Sequence, residues 1–294
     1  MFNSALIEYK IIRKQKITWI LFTVILMLLS YSMFFSYNQV KTMDSQLFNY
    51  MSQYNSSDGE ADISQPLEEL KEFAKGINPL ATVNNNLLLL SMIGSILFGI
   101  MGAFLVGNEF KLKTVQIRAS HYGWSKSVIG KLIVLFLAAV SLVSFVTLVS
   151  YLGGYVISAL AKGGLHYKET IGAEVGSINV YVQAIITTIV LFFYGSLGLW
   201  FSLITRSTLI GGIIAFLIPY VEKFFSGFSL EYFFPTTWLG ILIKENFIFF
   251  KNSLASPTIS INIELSTFLA VCLILLLNGT LIFFCFYIAR HQKI

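Results

Sequence analysis

The sequence predicts an all-α integral membrane protein with six transmembrane helices. Hydrophobic residues make up 56% of the 294 residues and charged residues only 12%, which is more apolar surface than a soluble core buries. The apolar residues also fall in continuous runs, and one helical crossing of the roughly 30 Å hydrocarbon core takes about 20 residues. A transmembrane barrel would instead show weak alternation over about ten residues for each strand.

Each predicted span follows from one apolar run. Five runs are long enough by themselves to cross a bilayer, and they cover 17–37, 86–107, 132–157, 178–204 and 265–289. A sixth run, 208–221, is short. We extend it to 208–225 because the long side chains of Glu222 and Lys223 can reach an interface. The chain, 1–294, is predicted to form a single transmembrane domain.

The distribution of basic residues predicts the orientation. With a cytoplasmic N-terminus, the inner segments hold 12 Lys and Arg in 48 residues, whereas the outer segments hold 8 in 111. Cytoplasmic segments are the ones enriched in Lys and Arg. Both termini are therefore expected in the cytoplasm. Because the basic first segment has no small-residue cleavage site, we expect a multi-pass protein of a bacterial cytoplasmic membrane.

Segment 1–16 predicts an amphipathic helix at the membrane interface. Its apolar residues recur at helical spacing and its basic residues lie mostly on other faces, which is typical of a helix that lies in the plane of the membrane. The helix either acts as a simple topogenic anchor or also braces a cytoplasmic partner. The residues expected to form that brace are Tyr9, Arg13 and Lys14.

Two outer segments also carry structural patterns. Segment 38–85 contains one helical pattern that follows Pro66 and ends before Pro79, and a second apolar stripe that starts at Met43, so an extracellular helical pair is predicted. It either contacts a substrate or forms a passive cap. Segment 222–264 is too apolar for an aqueous loop but is interrupted by charges, which predicts short re-entrant or interfacial helices before the last span.

The second span carries a stripe of small residues at every fourth position, and these residues are Ser91, Ser95, Gly99, Ala103 and Gly107. Such a stripe lets another helix backbone approach closely, which matters in lipid because no hydrophobic force drives helices together there. We expect tight packing, either within the chain or across a dimer. A lining of a translocation path is the alternative.

Several kinds of chemistry are missing from the sequence. Five of the six predicted spans contain no charged residue or His, whereas proton- or ion-coupled carriers usually keep one at depth. The glycine-rich motif that binds nucleotide phosphates is absent, and no catalytic or metal-ligand spacing is visible. The chain is therefore not expected to be an enzyme or to bind a cofactor. Nucleic acid is not an expected partner, because anionic lipid and topology account for the basic residues.

Segment 108–131 is the long polar break between the second and third spans. It begins with Glu109 and continues as a short amphipathic pattern, with Leu112, Val115 and Ala119 on the apolar side. The sequence YGWSKS then predicts a turn. In that turn we expect Trp124 to anchor at the interface and Ser125 to cap a helix that starts at Lys126.

These features together resemble the membrane-spanning subunit of an ABC transporter of the ABC-2 type. In that family the segment after the second span commonly has Glu, then Gly-Thr, a helix, Ser-Arg and a Gly-Lys before the next helix. The matching positions in this chain are Glu109, Thr114, Ser125, Lys126, Gly130 and Lys131. Lys113 stands where glycine is common, which is a departure from the family pattern.

The resemblance implies an ATP-driven permease. It implies pairing with a second permease subunit, identical or related, and with two copies of a cytoplasmic ATPase subunit that binds ATP and Mg. A coupling helix in 108–120 contacts the ATPase in this family. The coupling residues implied here are Glu109, Thr114, Gln116, Arg118, Ser125 and Lys126. A basic loop that only fixes topology is the simpler interpretation of that segment.

The interior of the predicted bundle bears on the substrate. Apolar and hydroxyl side chains without fixed charge favour export of an amphipathic or hydrophobic compound, such as an antimicrobial peptide, a drug or a lipid. Membrane lipid is also an expected partner. The alternative function is a non-transporting membrane sensor or scaffold that uses 38–85 as its receptor surface.

Overall fold

The chain folds into a bundle of α-helices. The computed structural model describes residues 9–10, 16–54, 70, 77–164, 166, 180–224 and 267–292. In these ranges no strand occurs, and the helices are α1 Lys16–Tyr54, α2 Pro79–Lys111, α3 Thr114–Tyr122, α4 Trp124–Gly164, α5 Val180–Thr205, α6 Thr208–Phe224 and α7 Thr267–His291. The predicted all-α class is therefore confirmed for the part of the chain that the structure describes.

Three of the helices, α2, α4 and α5, are long and apolar enough to cross a membrane. Shorter apolar stretches lie in α6, over Thr208–Ile218, and in α7, over Leu275–His291. These findings support the prediction of a membrane protein. The remaining predicted spans coincide largely with parts of α1, α6 and α7, and the count of six spans stays a prediction.

Helix α2 lies at the centre of the bundle, where it packs against α4, α5 and α6. Two glycines of α2 meet two glycines of α5. A Cβ atom at Gly102 would overlap the carbonyl oxygen of Gly195, and a Cβ atom at Gly198 would overlap the carbonyl oxygen of Gly99. Helices in lipid associate through close packing of small residues. The four glycines therefore bring the backbones of α2 and α5 into direct contact.

Buried hydrogen bonds connect the N-terminal part of α2 to α4 and α5. The Asn86 side-chain amide donates to the Ser150 hydroxyl over 2.9 Å, and the Gln183 side-chain amide donates to the Asn84 carbonyl over 2.9 Å. All these donors and acceptors are buried, where a polar group needs a partner. The bonds hold α4 and α5 against the first turns of α2.

Helix α1 differs from the sequence prediction. It runs without interruption for 39 residues, about 58 Å at 1.5 Å per residue, whereas we expected a separate helix near Met43. No Gly or Pro lies between Ile17 and Tyr54, so nothing in the backbone stops the helix where its apolar run ends. The extended part packs against α4 in a small apolar cluster formed by Val40, Leu47, Leu70, Ile77 and Ala161.

Some predicted features lie outside the described residues. These are most of the interfacial helix 1–16 with Arg13 and Lys14, the segments 55–69 and 71–76 of the outer loop, and 225–266 before the last helix. Of the predicted brace, only Tyr9 is described, and its side chain is exposed.

Candidate functional site at the α3 end of the bundle

A short helix, α3, connects α2 to α4. Leu112 and Lys113 form the turn before it, and Gly123 forms the turn after it. Lys113 has a φ of 54° and Gly123 a φ of 78°, which is the left-handed region that glycine adopts without strain. Lys113 is therefore a lysine in a backbone conformation that favours glycine. We call this end of the bundle the α3 end.

An ion pair joins α2 to α4 beside the start of α3. Lys131 Nζ donates to Glu109 Oε1 over 2.5 Å, and the two side chains are 1% and 8% exposed. The Thr114 hydroxyl donates to the Glu109 carbonyl over 3.4 Å, which attaches the first turn of α3 to the same turn of α2. Desolvation of each buried charge costs several kcal/mol. Each charge therefore offsets part of the desolvation cost of the other, and the pair joins α2 to α4.

A second set of bonds joins α4, α5 and α7 at the α3 end. The Trp124 indole N–H donates to Gln292 Oε1 over 3.2 Å, and the Gln292 amide donates to the Leu203 carbonyl over 3.0 Å. The Trp124 ring also meets the edge of the Phe110 ring, with centroids 5.7 Å apart. A single glutamine after α7 thus links the start of α4 to the last turn of α5.

The structure corrects the predicted roles of Trp124 and Ser125. Trp124 is 4% exposed and lies in the protein core, so the prediction of an interfacial anchor is wrong. Helix α4 begins at Trp124, so Ser125 lies inside its first turn and is not an N-cap. The cause is that Gly123 alone reverses the chain, which leaves the following residues helical and turned toward α2 and α7.

Helix α3 has one buried face and one exposed face. Val115 is buried in the main core and Ala119 packs against that core. Lys113, Gln116, Ile117 and Ser120 are exposed. Leu112 is 69% exposed, so its predicted place on the buried side with Val115 is wrong, because Leu112 belongs to the turn and not to the helix.

Some of the predicted coupling residues are exposed and others are partly or fully buried. Gln116 and Lys126 are exposed, and Thr114 and Ser125 are half-buried. Glu109 is buried in its ion pair with Lys131, so its carboxylate is not on the exposed surface, and its coupling role stays a prediction. The side chain of Arg118 lies outside the description, although its backbone belongs to α3.

The stripe of small residues packs against neighbouring helices of the same chain. Ser91 and Ser95 are buried and their hydroxyls donate to carbonyls of their own helix, those of Leu88 and Ser91. A Cβ atom at Gly99 would lie 2.9 Å from Ala215 Cβ of α6, and one at Gly107 would overlap Thr208. The Ala103 carbonyl accepts a hydrogen bond from the Ser202 hydroxyl of α5 over 3.0 Å. The stripe thus contacts both α5 and α6.

An apolar pocket of about 320 Å³ lies between α1, α2 and α4. Its wall is almost entirely apolar and includes three phenylalanines, of which the Phe22 and Phe145 rings are 5.3 Å apart across the helices. Ser141 is the one polar residue in that wall. Such a pocket can accept an apolar group but offers no fixed charge.

Among the described residues, no three His, Cys, Asp or Glu side chains lie close enough together to hold a metal ion. The chain matches no family model, no curated protein and no solved structure.

Sequence reasoning missed both links at the α3 end. Glu109 and Lys131 each stand at the polar end of an apolar run, and charges of opposite sign in those positions are a usable signal for a pair. The link between Trp124 and Gln292 joins residues 168 positions apart, and no local pattern indicates it.

Replacement of Gln292 by alanine tests the second link. The change leaves the buried Trp124 indole N–H without its acceptor, and an unsatisfied buried donor costs about 1–3 kcal/mol. We expect a fall of that size in the free energy of unfolding, measured by chemical denaturation in mild detergent. Trp124→Phe should cost clearly less in the Gln292→Ala background than in the wild-type chain. If the stability losses of the two single variants simply add in the double variant, Trp124 and Gln292 are not directly linked.

Proposed function

We propose that the chain is the permease subunit of an ABC-2-type exporter and that α3 is the helix through which a separate ATPase acts on it. The observation that carries the proposal is the exposed face of α3. This face carries an amide and an apolar side chain, Gln116 and Ile117, and Ile117 is 60% exposed. The exposed cation Lys113 lies in the turn directly before the helix. A mixed face with an apolar residue at its centre is suited to a protein contact.

The connections of α3 suit it to transmit motion. The helix is joined to α2 by a turn of two residues and to α4 by a turn of one residue, and the Glu109–Lys131 pair holds those two helices together beside it. A displacement of α3 by a partner therefore moves both helices as a unit. Glu109 acts in this proposal as a positioning residue, not as a contact residue.

The energy source lies in the partner. ATP and Mg bind to two copies of the ATPase subunit, and a second permease subunit completes the assembly. The α3 end then faces the cytoplasm, in agreement with the distribution of basic residues. The apolar pocket between α1, α2 and α4 favours an amphipathic or hydrophobic substrate, such as a peptide, a drug or a lipid.

A charge reversal on α3 tests the proposal. We expect Lys113→Glu to reduce by at least fivefold the amount of ATP-hydrolysing subunit that co-purifies with the tagged chain, because a contact charge is inverted. The matched control is Lys162→Glu, an exposed lysine at the far end of α4, which should retain the partner. Membrane insertion and yield are measured for both variants.

The same experiment distinguishes the exporter from the alternative function, a non-transporting membrane sensor or scaffold. If the wild-type chain brings down no subunit with a phosphate-binding motif, and ATP hydrolysis does not accompany it, the exporter proposal fails and the sensor or scaffold function gains support. If Lys113→Glu and Lys162→Glu lose the partner equally, α3 is not the contact.

A further inference from the structure

Helices α2 and α6 enclose a groove of about 460 Å³ at the α3 end, a volume within the range of ligand sites, roughly 300–1,000 Å³. The two helices run antiparallel, because Gly107 of α2 meets Thr208 of α6 and Gly99 meets Ala215. The groove therefore has one end formed by the last turns of α2 together with the first turn of α6.

The polar and apolar lining residues of the groove are separated along its length. Ile100 and Phe104 of α2 and Ile213 and Phe216 of α6 form apolar walls. The polar lining residues, Asn108, Lys111 and Thr208, gather at the α3 end. From Ile100 to Lys111 the rise along α2 is about 16 Å. The groove thus matches a molecule with a long apolar part and a polar group at one end.

The groove opens toward the outside of the bundle. Leu209, Ile213 and Phe216 are exposed large side chains on the same stretch of α6. A Cβ atom built at Gly212 meets nothing within 4 Å, so there is open space along the α6 wall. Because α2 is apolar enough to cross a membrane, lipid is the surrounding that an open side of this helix would meet in a bilayer.

The charge at the polar end is positive. Lys111 lines the groove and is exposed, and exposed cations also stand at the neighbouring turns, Lys113 and Arg206. The one acid on the last turns of α2, Glu109, is bound to Lys131. A cationic mouth over an apolar groove is complementary to a phosphate head group with an acyl chain.

We propose that the groove between α2 and α6 binds one anionic phospholipid, with its acyl chain along the apolar walls and its head-group phosphate at Lys111. The site is separate from the pocket between α1, α2 and α4 and does not depend on the exporter function. Bound lipid would fill the lateral opening beside Gly107 and Thr208 and so support the packing of α6 on α2.

Native mass spectrometry of the full chain in detergent tests the site, with dioleoylphosphatidylglycerol as the probe and dioleoylphosphatidylcholine as the zwitterionic comparison. The wild-type chain should retain one phosphatidylglycerol and bind it at least fivefold more tightly than phosphatidylcholine. Lys111→Gln should weaken binding about fivefold, and Lys111→Glu about 25-fold, because each basic residue near an anionic lipid contributes roughly that factor.

A second variant tests the groove instead of the charge. A Cβ atom at Gly212 meets no protein atom within 4 Å, so we expect the side chain of Gly212→Leu to enter the open groove and displace the lipid, with retention of the fold checked by unfolding in detergent. Gly279→Leu is its control, since Gly279 in α7 also meets nothing within 4 Å, and it should retain the lipid. Equal retention of the two lipids by the wild-type chain, or unchanged binding in both Lys111→Glu and Gly212→Leu, overturns the proposal. The proposal is also overturned if the wild-type chain is a dimer without bound lipid and Gly212→Leu is a monomer. The groove would then be an interface between two copies of the chain.

Discussion

Replacement of Lys131 by methionine should lower the free energy of unfolding by about 3–5 kcal/mol, because it removes the Lys131 countercharge from the buried Glu109 carboxylate. Lys131 is 1% exposed and its nitrogen lies 2.5 Å from Glu109 Oε1, so water cannot replace the lost partner without opening the contact between α2 and α4. The measurement is chemical denaturation of the purified chain in mild detergent.

The double variant Glu109→Gln/Lys131→Met supplies the control. It removes both charges together, and replacement of a whole buried ion pair by uncharged residues of similar volume is often neutral or stabilising. We therefore expect its stability to return to within about 1 kcal/mol of the wild-type value. If Lys131→Met alone costs less than about 1 kcal/mol, the pair is hydrated and does not hold the register of the two helices.

The double variant also bears on function. If the exporter proposal is right, Lys113 in the turn and Gln116 and Ile117 on α3 still face the ATPase, so the partner should co-purify normally. Transport for each ATP hydrolysed should nevertheless fall, because the tie between α2 and α4 is weaker. A variant with normal stability, normal ATPase binding and unchanged coupling would remove Glu109 and Lys131 from the transmission of motion.

The class of the fold was predictable because it depends on composition and on the lengths of apolar runs. The ends of the helices were less predictable from the sequence. The length of an apolar run indicates how much of a helix lies in the bilayer, but a helix can continue beyond that run. Helix α1 passes its apolar run by about 17 residues and reaches Tyr54, since helix formers without Gly or Pro follow. Helix α4 begins at Trp124, two residues before the predicted helix start at Lys126, since the turn is completed by Gly123.

The candidate site was predictable in its location but not in its contacts. The polar break at 108–131 and the short helix in it follow from local pattern. The burial of Glu109 does not, because it depends on Lys131 of another helix. Likewise, spacing identified the small-residue stripe from Ser91 to Gly107, whereas its facing partners, Gly195 and Gly198 of α5, depend on how two helices cross.

Replacement of Gly102 by alanine is the other change with a large expected effect. One added methyl group would overlap the Gly195 carbonyl oxygen, which is backbone and cannot rotate away. Overpacked sites usually cost about 1–3 kcal/mol and occasionally more. We expect the upper part of that range, about 3 kcal/mol, because the backbones of α2 and α5 must separate. Unfolding in detergent and the yield of monodisperse protein are the two measurements.

Gly279→Ala gives the matched control with the opposite expected sign. Gly279 lies within α7, and a Cβ atom there meets nothing within 4 Å. Glycine in a helix interior is about 0.5–1 kcal/mol less favourable than alanine, so this change should stabilise the chain slightly. Opposite signs at Gly102 and Gly279 would show that close approach, not helix propensity, decides the outcome. If Gly102→Ala instead weakens a dimer and leaves the stability of the monomer unchanged, the small-residue stripe of α2 packs between two copies of the chain.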